Sequence, residues 1–389
     1  MGWDWLEKYE HRGAFLLRVV VKAALLFALV NVAFALVNPL PAIGHLTLHN
    51  TLIAGRERLP YGEDPASYNL SLDSLDAMFA THVIARRKPA DEFRVLVAGD
   101  SSVWGFLLRP EQTLTAQINA LDLRAEDGRT IRAYNIGHPL LSATKDLLLI
   151  DYAMRYQPDL VIWLTTLDAL DSAAQLRPPI VANNAERVRR LTDAGGLALD
   201  ADSLPDHPDF WSRTLAGQRR PLADWWRLQM FGFSWAATGI DQVYADYTPT
   251  ANDLPDSIAW GGFDAPTDDI AAALALDLVA AIAERVAPVD LLIVNQPIFI
   301  ADGLHSDMRY NAWYPRWAYD AYREALTVAV AALDGGYIDL WDAIPAGEFT
   351  DSPVHLTPEG SRLLAQRIAR ELAPDDAVSF FNADEKIGR

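Results

Sequence analysis

From Ala14 to Val37 the chain is almost wholly apolar, broken only by Arg18, Lys22 and Asn31. The part from Val19 to Val37 is long enough to cross a hydrocarbon layer if the Lys22 ammonium reaches back to the headgroups. Lys8, Arg12, Arg18 and Lys22 lie on its N-terminal side, and no Lys or Arg occurs from Asn38 to Gly55. The positive-inside rule then places the N-terminus in the cytoplasm and the bulk of the chain outside. Two other readings fit the pattern. One is a cleaved signal peptide, with Ala33-Phe34-Ala35 as a small-x-small cleavage site; the other is a buried amphipathic helix. The expectation is an uncleaved anchor over residues 1–40, a connecting segment over 41–92 with one helix inside Leu72–Arg87, and a polar tail over 374–389.

Beyond residue 92 short apolar runs alternate with helical periodicity. Strands are predicted at Arg94–Ala98, Thr130–Tyr134, Asp159–Leu164, Val289–Val294 and Gly336–Leu340. Helices are predicted at Glu111–Leu121, Leu141–Tyr156, Asp268–Val286, Pro315–Leu333 and from Pro358 to about Leu372. Continuous apolar strands separated by helices indicate a central parallel sheet covered on both faces, an α/β three-layer sandwich. Residues 170–266 break the alternation with scattered Pro, Asp and Trp. They read as a large insertion containing helices whose ends the pattern does not mark, because a structureless loop of that length is uncommon in a compact domain.

Composition narrows the chemistry. The chain has 389 residues, 51% of them hydrophobic, enough for a large core. Its net charge is -19 with no basic stripe, so nucleic acid is not an expected partner. There is no Cys, which excludes disulfides, thiolate catalysis and zinc–thiolate sites. No Gly-rich cradle with Lys and no clustering of acidic residues suggests a phosphate site, a metal or another cofactor, and none is expected.

The candidate nucleophile follows from the first strand. It ends in Gly99-Asp100-Ser101, which leaves a serine at the strand's C-terminal edge, where open α/β sheets bind ligands. A serine hydroxyl needs a base in contact and the base needs an orienting group. Of the eight His, His11, His45, His49, His82 and His207 fall before the sheet or in the insertion. That leaves His138, His305 and His355. His355 lies in a loop before the last helix, with Asp351 four residues ahead, and such a loop can curl the Asp under its own His. Oxyanion stabilisation needs aimed N–H groups; Asn135-Ile136-Gly137 follows the second strand at the same sheet edge, and a Gly there admits a reacting carbonyl close to the backbone. Asn295-Gln296-Pro297 ends a strand at that edge. With the polar-aromatic loop Arg309-Tyr310-Asn311-Ala312-Trp313-Tyr314, it supplies candidate substrate contacts in Asn295, Gln296, Arg309 and Asn311. Lys145-Asp146 reads as an ordinary surface or capping pair.

Gly99-Asp100-Ser101 after one strand, Gly137 after the next, and Asp351…His355 before a Pro-Glu-Gly helix resemble the SGNH/GDSL hydrolase superfamily, over about residues 93–168 and 288–373. The resemblance implies a flavodoxin-like sheet and an esterase, lipase or carbohydrate O-acyl esterase or transferase. It implies Ser101 as nucleophile, His355 as base, Asp351 as its partner, and the N–H groups of Ser101 and Gly137 as the oxyanion hole. Two positions depart from the family pattern. Leu167 stands where the third block has Asn, leaving Thr165 or Thr166 as substitutes. The Asp usually sits three residues before the His, where this chain has Ser352.

The expected function is acyl transfer through an acyl-enzyme, to water or to a sugar hydroxyl, on an acylated cell-envelope glycan or lipid. Leu167 supports a second reading: a catalytically inactive, membrane-tethered scaffold of the same fold that binds glycans or assists a membrane-embedded acyltransferase.

Overall fold

A computed structural model describes residues 13–372 apart from 54, 206–208, 268 and 334. The predicted polar tail, Lys8, His11, Arg12 and His207 lie outside the described residues. The helices are α1 (Gly13–Val37), α2 (Leu40–Ile43), α3 (Leu48–Leu52), α4 (Leu75–Thr81), α5 (Ser101–Trp104), α6 (Leu114–Ala120), α7 (Ala143–Ala153), α8 (Pro179–Asn183), α9 (Ala185–Gly195), α10 (Arg219–Thr238), α11 (Asp277–Val286), α12 (Arg316–Ala331) and α13 (Pro358–Leu372). The strands are β1 (Glu92–Ala98), β2 (Thr130–Asn135), β3 (Leu160–Thr165), β4 (Asp290–Asn295) and β5 (Gly336–Asp339).

The five strands form one parallel sheet in the order β2-β1-β3-β4-β5. This is the flavodoxin-like doubly wound order, whose switch point lies between β1 and β3. Alternate side chains of each strand go to opposite faces. Leu96, Ala98, Val161, Trp163, Leu291 and Ile293 pack with α7, α11 and α12. Val95, Val97, Ile162, Leu164, Leu292 and Val294 pack with α6 and α13. Both faces are therefore covered, which is why the strands read as continuous apolar runs.

Helix ends differ from the predicted ones where caps intervene. Thr113 caps α6 through its hydroxyl, so the turn at Pro110–Gln112 is a separate 3₁₀ piece. The helix expected from Asp268 begins only at Asp277. Leu274 is extended and pairs with Asp171, and Ala275 N–H donates to Leu170 O. This small bridge joins the first residues of the insertion to the chain just beyond its end. The insertion holds α8, α9 and the 20-residue α10.

The segment before β1 is more than a connection. Leu59, Leu70, Leu72, Leu75, Met78 and Phe79 are buried in the same core as Trp163. Ser74 caps α4, the helix expected within Leu72–Arg87. By contrast, α1 keeps nearly all its apolar side chains exposed and buries only Asn31 and Ala35. It is long and apolar enough to cross a membrane, and it is not an interior helix of the domain.

Candidate active site

Strand β1 delivers the chain to Gly99, whose φ of +154° and tight surroundings require glycine: a Cβ there would lie 2.7 Å from Val103 Cγ2 and 3.0 Å from Leu164 O. The turn continues into α5, with Ser101 as its first residue. Asp100 caps this helix, its Oδ1 accepting from Ser102 N–H at 2.7 Å. Gln296, just beyond β4, donates to Asp100 Oδ2 at 2.9 Å and accepts from Ser102 Oγ–H at 2.6 Å. Gln296 thus clamps the residues on both sides of Ser101; it is buried with both amide groups engaged, a structural role in place of the expected substrate contact.

The histidine arrives from the loop before α13. Phe349 and Leu356 pair as an antiparallel bridge, and Thr350 N–H donates to His355 O at 2.8 Å. This closure curls Asp351 back under the imidazole. His355 Nδ1 lies 2.8 Å from Asp351 Oδ1, and His355 Nε2 lies 2.8 Å from Ser101 Oγ. With Nδ1–H donating to the carboxylate, Nε2 carries the lone pair that accepts from the serine hydroxyl. The hydrogen bond from His355 holds the Asp351 pKa below its ordinary value, so this partner is a carboxylate. Phe106 lies over the imidazole with ring centroids 4.8 Å apart. Ser352, in the family's usual Asp position, accepts from the N–H groups of Val354 and His355 and shapes the loop instead.

The oxyanion side differs from what the resemblance implies. Gly137 packs against the nucleophile turn, where a Cβ would lie 2.7 Å from Trp104 N. Its N–H, however, donates to Asn135 Oδ1 at 3.0 Å in a tight side-chain turn, so it is engaged. Asn135 in turn donates to Val103 O at 2.6 Å. The Leu167 side chain is fully buried and has no donor group. Thr166 Oγ1 lies 3.4 Å from Tyr314 OH, whereas the buried Thr165 Oγ1 has no partner among the described residues.

The other three expected substrate contacts are structural as well. Asn295 donates to Asp339 Oδ1 and accepts from the hydroxyls of Tyr319 and Tyr322. Arg309 directs its guanidinium at the carbonyls of Ser257, Asn311 and Ala312. Asn311 donates to Phe299 O and accepts from Trp313 and Tyr314 N–H groups. All three are buried with their polar groups engaged, which corrects their assignment to the substrate.

The pair Lys145–Asp146 is likewise not at the surface. Lys145 is fully buried, 2.7 Å from Asp146 Oδ1, and donates to Gly99 O at 2.8 Å and His138 O at 2.7 Å. It ties the nucleophile turn to the loop after β2 from behind. Nothing in the spacing of α7 marks this, because ten of its residues are buried and no exposed face shows.

His138 is held neutral: burial, with the Lys145 charge adding to it, lowers its pKa to about 3. The unfolded chain takes up this proton near 6.5, so the stability His138 contributes is present above 6.5 and is lost as pH falls toward 3. His138→Leu is expected to gain on the parent protein by about 2 kcal/mol between pH 7 and pH 5. Denaturation at the two pH values checks this; an unchanged difference between variants contradicts it.

The rear of the site also involves residues with no sequence signal. Arg58, from the segment before β1, pairs through two nitrogens with Asp241 of the insertion and donates to Gly105 O at 2.8 Å. Gln242 donates to Gly105 O and Leu108 O and accepts from Leu107 N–H.

A flavodoxin-like parallel sheet carries Ser101, His355 and Asp351 in mutual contact at its C-terminal edge. No family model and no curated protein matches this chain. Several solved structures are similar to it. A G-D-S-L family protein from Desulfitobacterium hafniense DCB-2 is 12% identical, covering 72% of this chain and 98% of that one, with a TM-score of 0.34. A carbohydrate acetylesterase family member from Sinorhizobium meliloti is 11% identical over 72% and 98%, with a TM-score of 0.32. The acetylxylan esterase Axe2 from Geobacillus stearothermophilus is 11% identical over 72% and 94%, with a TM-score of 0.36.

Proposed function

We propose that this protein is a serine-dependent ester hydrolase, acting through an acyl-enzyme. The observation that carries the reading is the unbroken Ser101–His355–Asp351 relay, with 2.8 Å at both links. As Ser101 Oγ attacks an ester carbonyl, its proton passes to His355 Nε2, and the imidazolium is stabilised by the Asp351 carboxylate. The same proton then goes to the departing alkoxide as the C–O bond breaks. Water, or a sugar hydroxyl in a transferase cycle, resolves the acyl-enzyme by the reverse path. The Ser101 N–H opens α5 with no acceptor among the described residues, and it is the donor best placed for the developing oxyanion.

We read α1 as an uncleaved anchor with the N-terminus in the cytoplasm. The domain then stands outside, where an acylated envelope glycan or lipid is the fitting substrate class. Labelling of the full-length protein by a fluorophosphonate probe tests the chemistry. Label is expected on the parent and absent from Ser101→Ala. No label on the parent, while a known serine esterase is labelled alongside it, sinks the proposal.

Leu167 and the engaged Gly137 N–H favour a second reading, an inactive tethered scaffold assisting a membrane-embedded acyltransferase. In that case acetyl release from an acylated glycan is the same for Ser101→Ala as for the parent.

A further inference from the structure

We infer that the insertion docks on the outer face of the same bilayer that α1 crosses, with helix α10 lying in the lipid interface. The inference rests on the reading of α1 as a membrane span. An isolated surface helix presents its polar side to water. Helix α10 does not. Its outward positions repeat at Ala223, Trp226, Met230, Phe233 and Ala237, a three–four spacing that makes one apolar stripe. Trp226 is 60% exposed and Met230 58%. The opposite side, with Leu228, Gln229, Gly232 and Trp235, is already buried. There Gln229 bonds to Leu48 N–H and Leu46 O, and Gly232 leaves room for His49. The stripe is therefore a second, uncovered face.

Its place along α1 identifies what covers it. Ala216 N–H donates to Asn31 Oδ1 at 2.9 Å, and Gln218 Nε2 lies 3.3 Å from Asn38 Oδ1. Asn31 is seven residues before Asn38, about 10 Å down the helix at 1.5 Å per residue. If the span ends near Val37, the chain just before α10 reaches below the headgroups, at the depth where interfacial helices rest. Trp211, 72% exposed, lies five residues before Ala216. Trp at this boundary is the usual aromatic anchor.

The charge agrees with an anionic lipid surface. Between residues 209 and 240 there are four Arg (Arg213, Arg219, Arg220 and Arg227) and two Asp (Asp209 and Asp224), within a chain of net charge -19. The exposed Leu46, Leu48, Leu52 and Ile53 on and around α3 extend the apolar area. The continuation of α10 reaches Asp241 and Gln242 at the nucleophile turn, so the docking sets the site's distance from the membrane plane.

The absence of Cys allows single-thiol labelling of the full chain. Trp226→Cys, Met230→Cys, Leu25→Cys and Val328→Cys are each labelled with a fluorophore and reconstituted alone in phosphatidylethanolamine–phosphatidylglycerol vesicles, with and without bromine on the acyl chains. The labels at 226, 230 and 25 are expected to lose emission with brominated lipid, and the label at 328, on the exposed side of α12, to keep it. Quenching at 25 but not at 226 and 230 overturns the docking and leaves the span standing; the stripe then faces water or a protein partner. No quenching at 25 overturns both.

Discussion

Asp351→Asn is expected to lower kcat by about four orders of magnitude with little change in KM or stability. The amide keeps the shape of the carboxylate but not its charge. His355 Nδ1–H then loses an ionic acceptor at 2.8 Å. The Asn NH₂ can instead donate to Nδ1, which moves the imidazole proton to Nε2 and leaves no lone pair facing Ser101. The imidazolium formed in the transition state also loses its counter-charge. The effect belongs to turnover, because Asp351 is only partly buried and its other bond is to the neighbouring Thr350 hydroxyl. Steady-state hydrolysis of p-nitrophenyl acetate by the reconstituted protein measures it. A loss of less than about tenfold means that Asp351 does not orient the base.

Lys145→Met is expected to destabilise the domain by about 3–5 kcal/mol, the cost typical of leaving one member of a buried ion pair without its partner. For a domain of this size that is a fall in Tm of roughly 5–8 °C. Two losses coincide. Asp146, whose pKa burial already raises, keeps only the Trp163 indole N–H at 3.1 Å. The carbonyls of Gly99 and His138 lose the donor that joined them. Adding Asp146→Leu removes the stranded acid and is expected to restore part of the stability, but not the link behind Ser101. Thermal unfolding of the single and double variants decides this. Equal Tm values for the parent and Lys145→Met contradict the buried pairing.

These two residues show what sequence reading reaches and what it does not. The strand ending at Gly99 and the Asp351…His355 loop were legible because apolar runs, a serine at a strand edge and a closing loop each leave local marks. The burial of Lys145 left none: it depends on β1, the loop after β2 and α7 converging. The same holds for Arg309 and Asn311. Polar-aromatic loops look alike in sequence whether their side chains meet a substrate or the chain's own carbonyls. Gly137 packs beside the nucleophile turn, but the bond its N–H makes to Asn135 cannot be read from a glycine. The insertion's helices were hidden for a related reason. The outward stripe of α10 is apolar and its polar edge at Arg220, Asp224 and Arg227 is narrow, so the pattern of an amphipathic helix is blurred.

The Arg58–Asp241 pair has a consequence for the order in which the protein is assembled. Its members are 183 residues apart. At translation rates of about 5–20 residues per second, Arg58 is made on the order of ten to forty seconds before its partner. Through that interval the support behind Ser101 is incomplete, although β1, β2 and β3 are already synthesised. A chain emerging N-terminus first therefore completes the rear support of its nucleophile turn only with the insertion, and Gln296, Asp351 and His355 follow later still. Deleting the insertion removes the rear support of Ser101 while leaving the later-made Gln296, Asp351 and His355 in the chain.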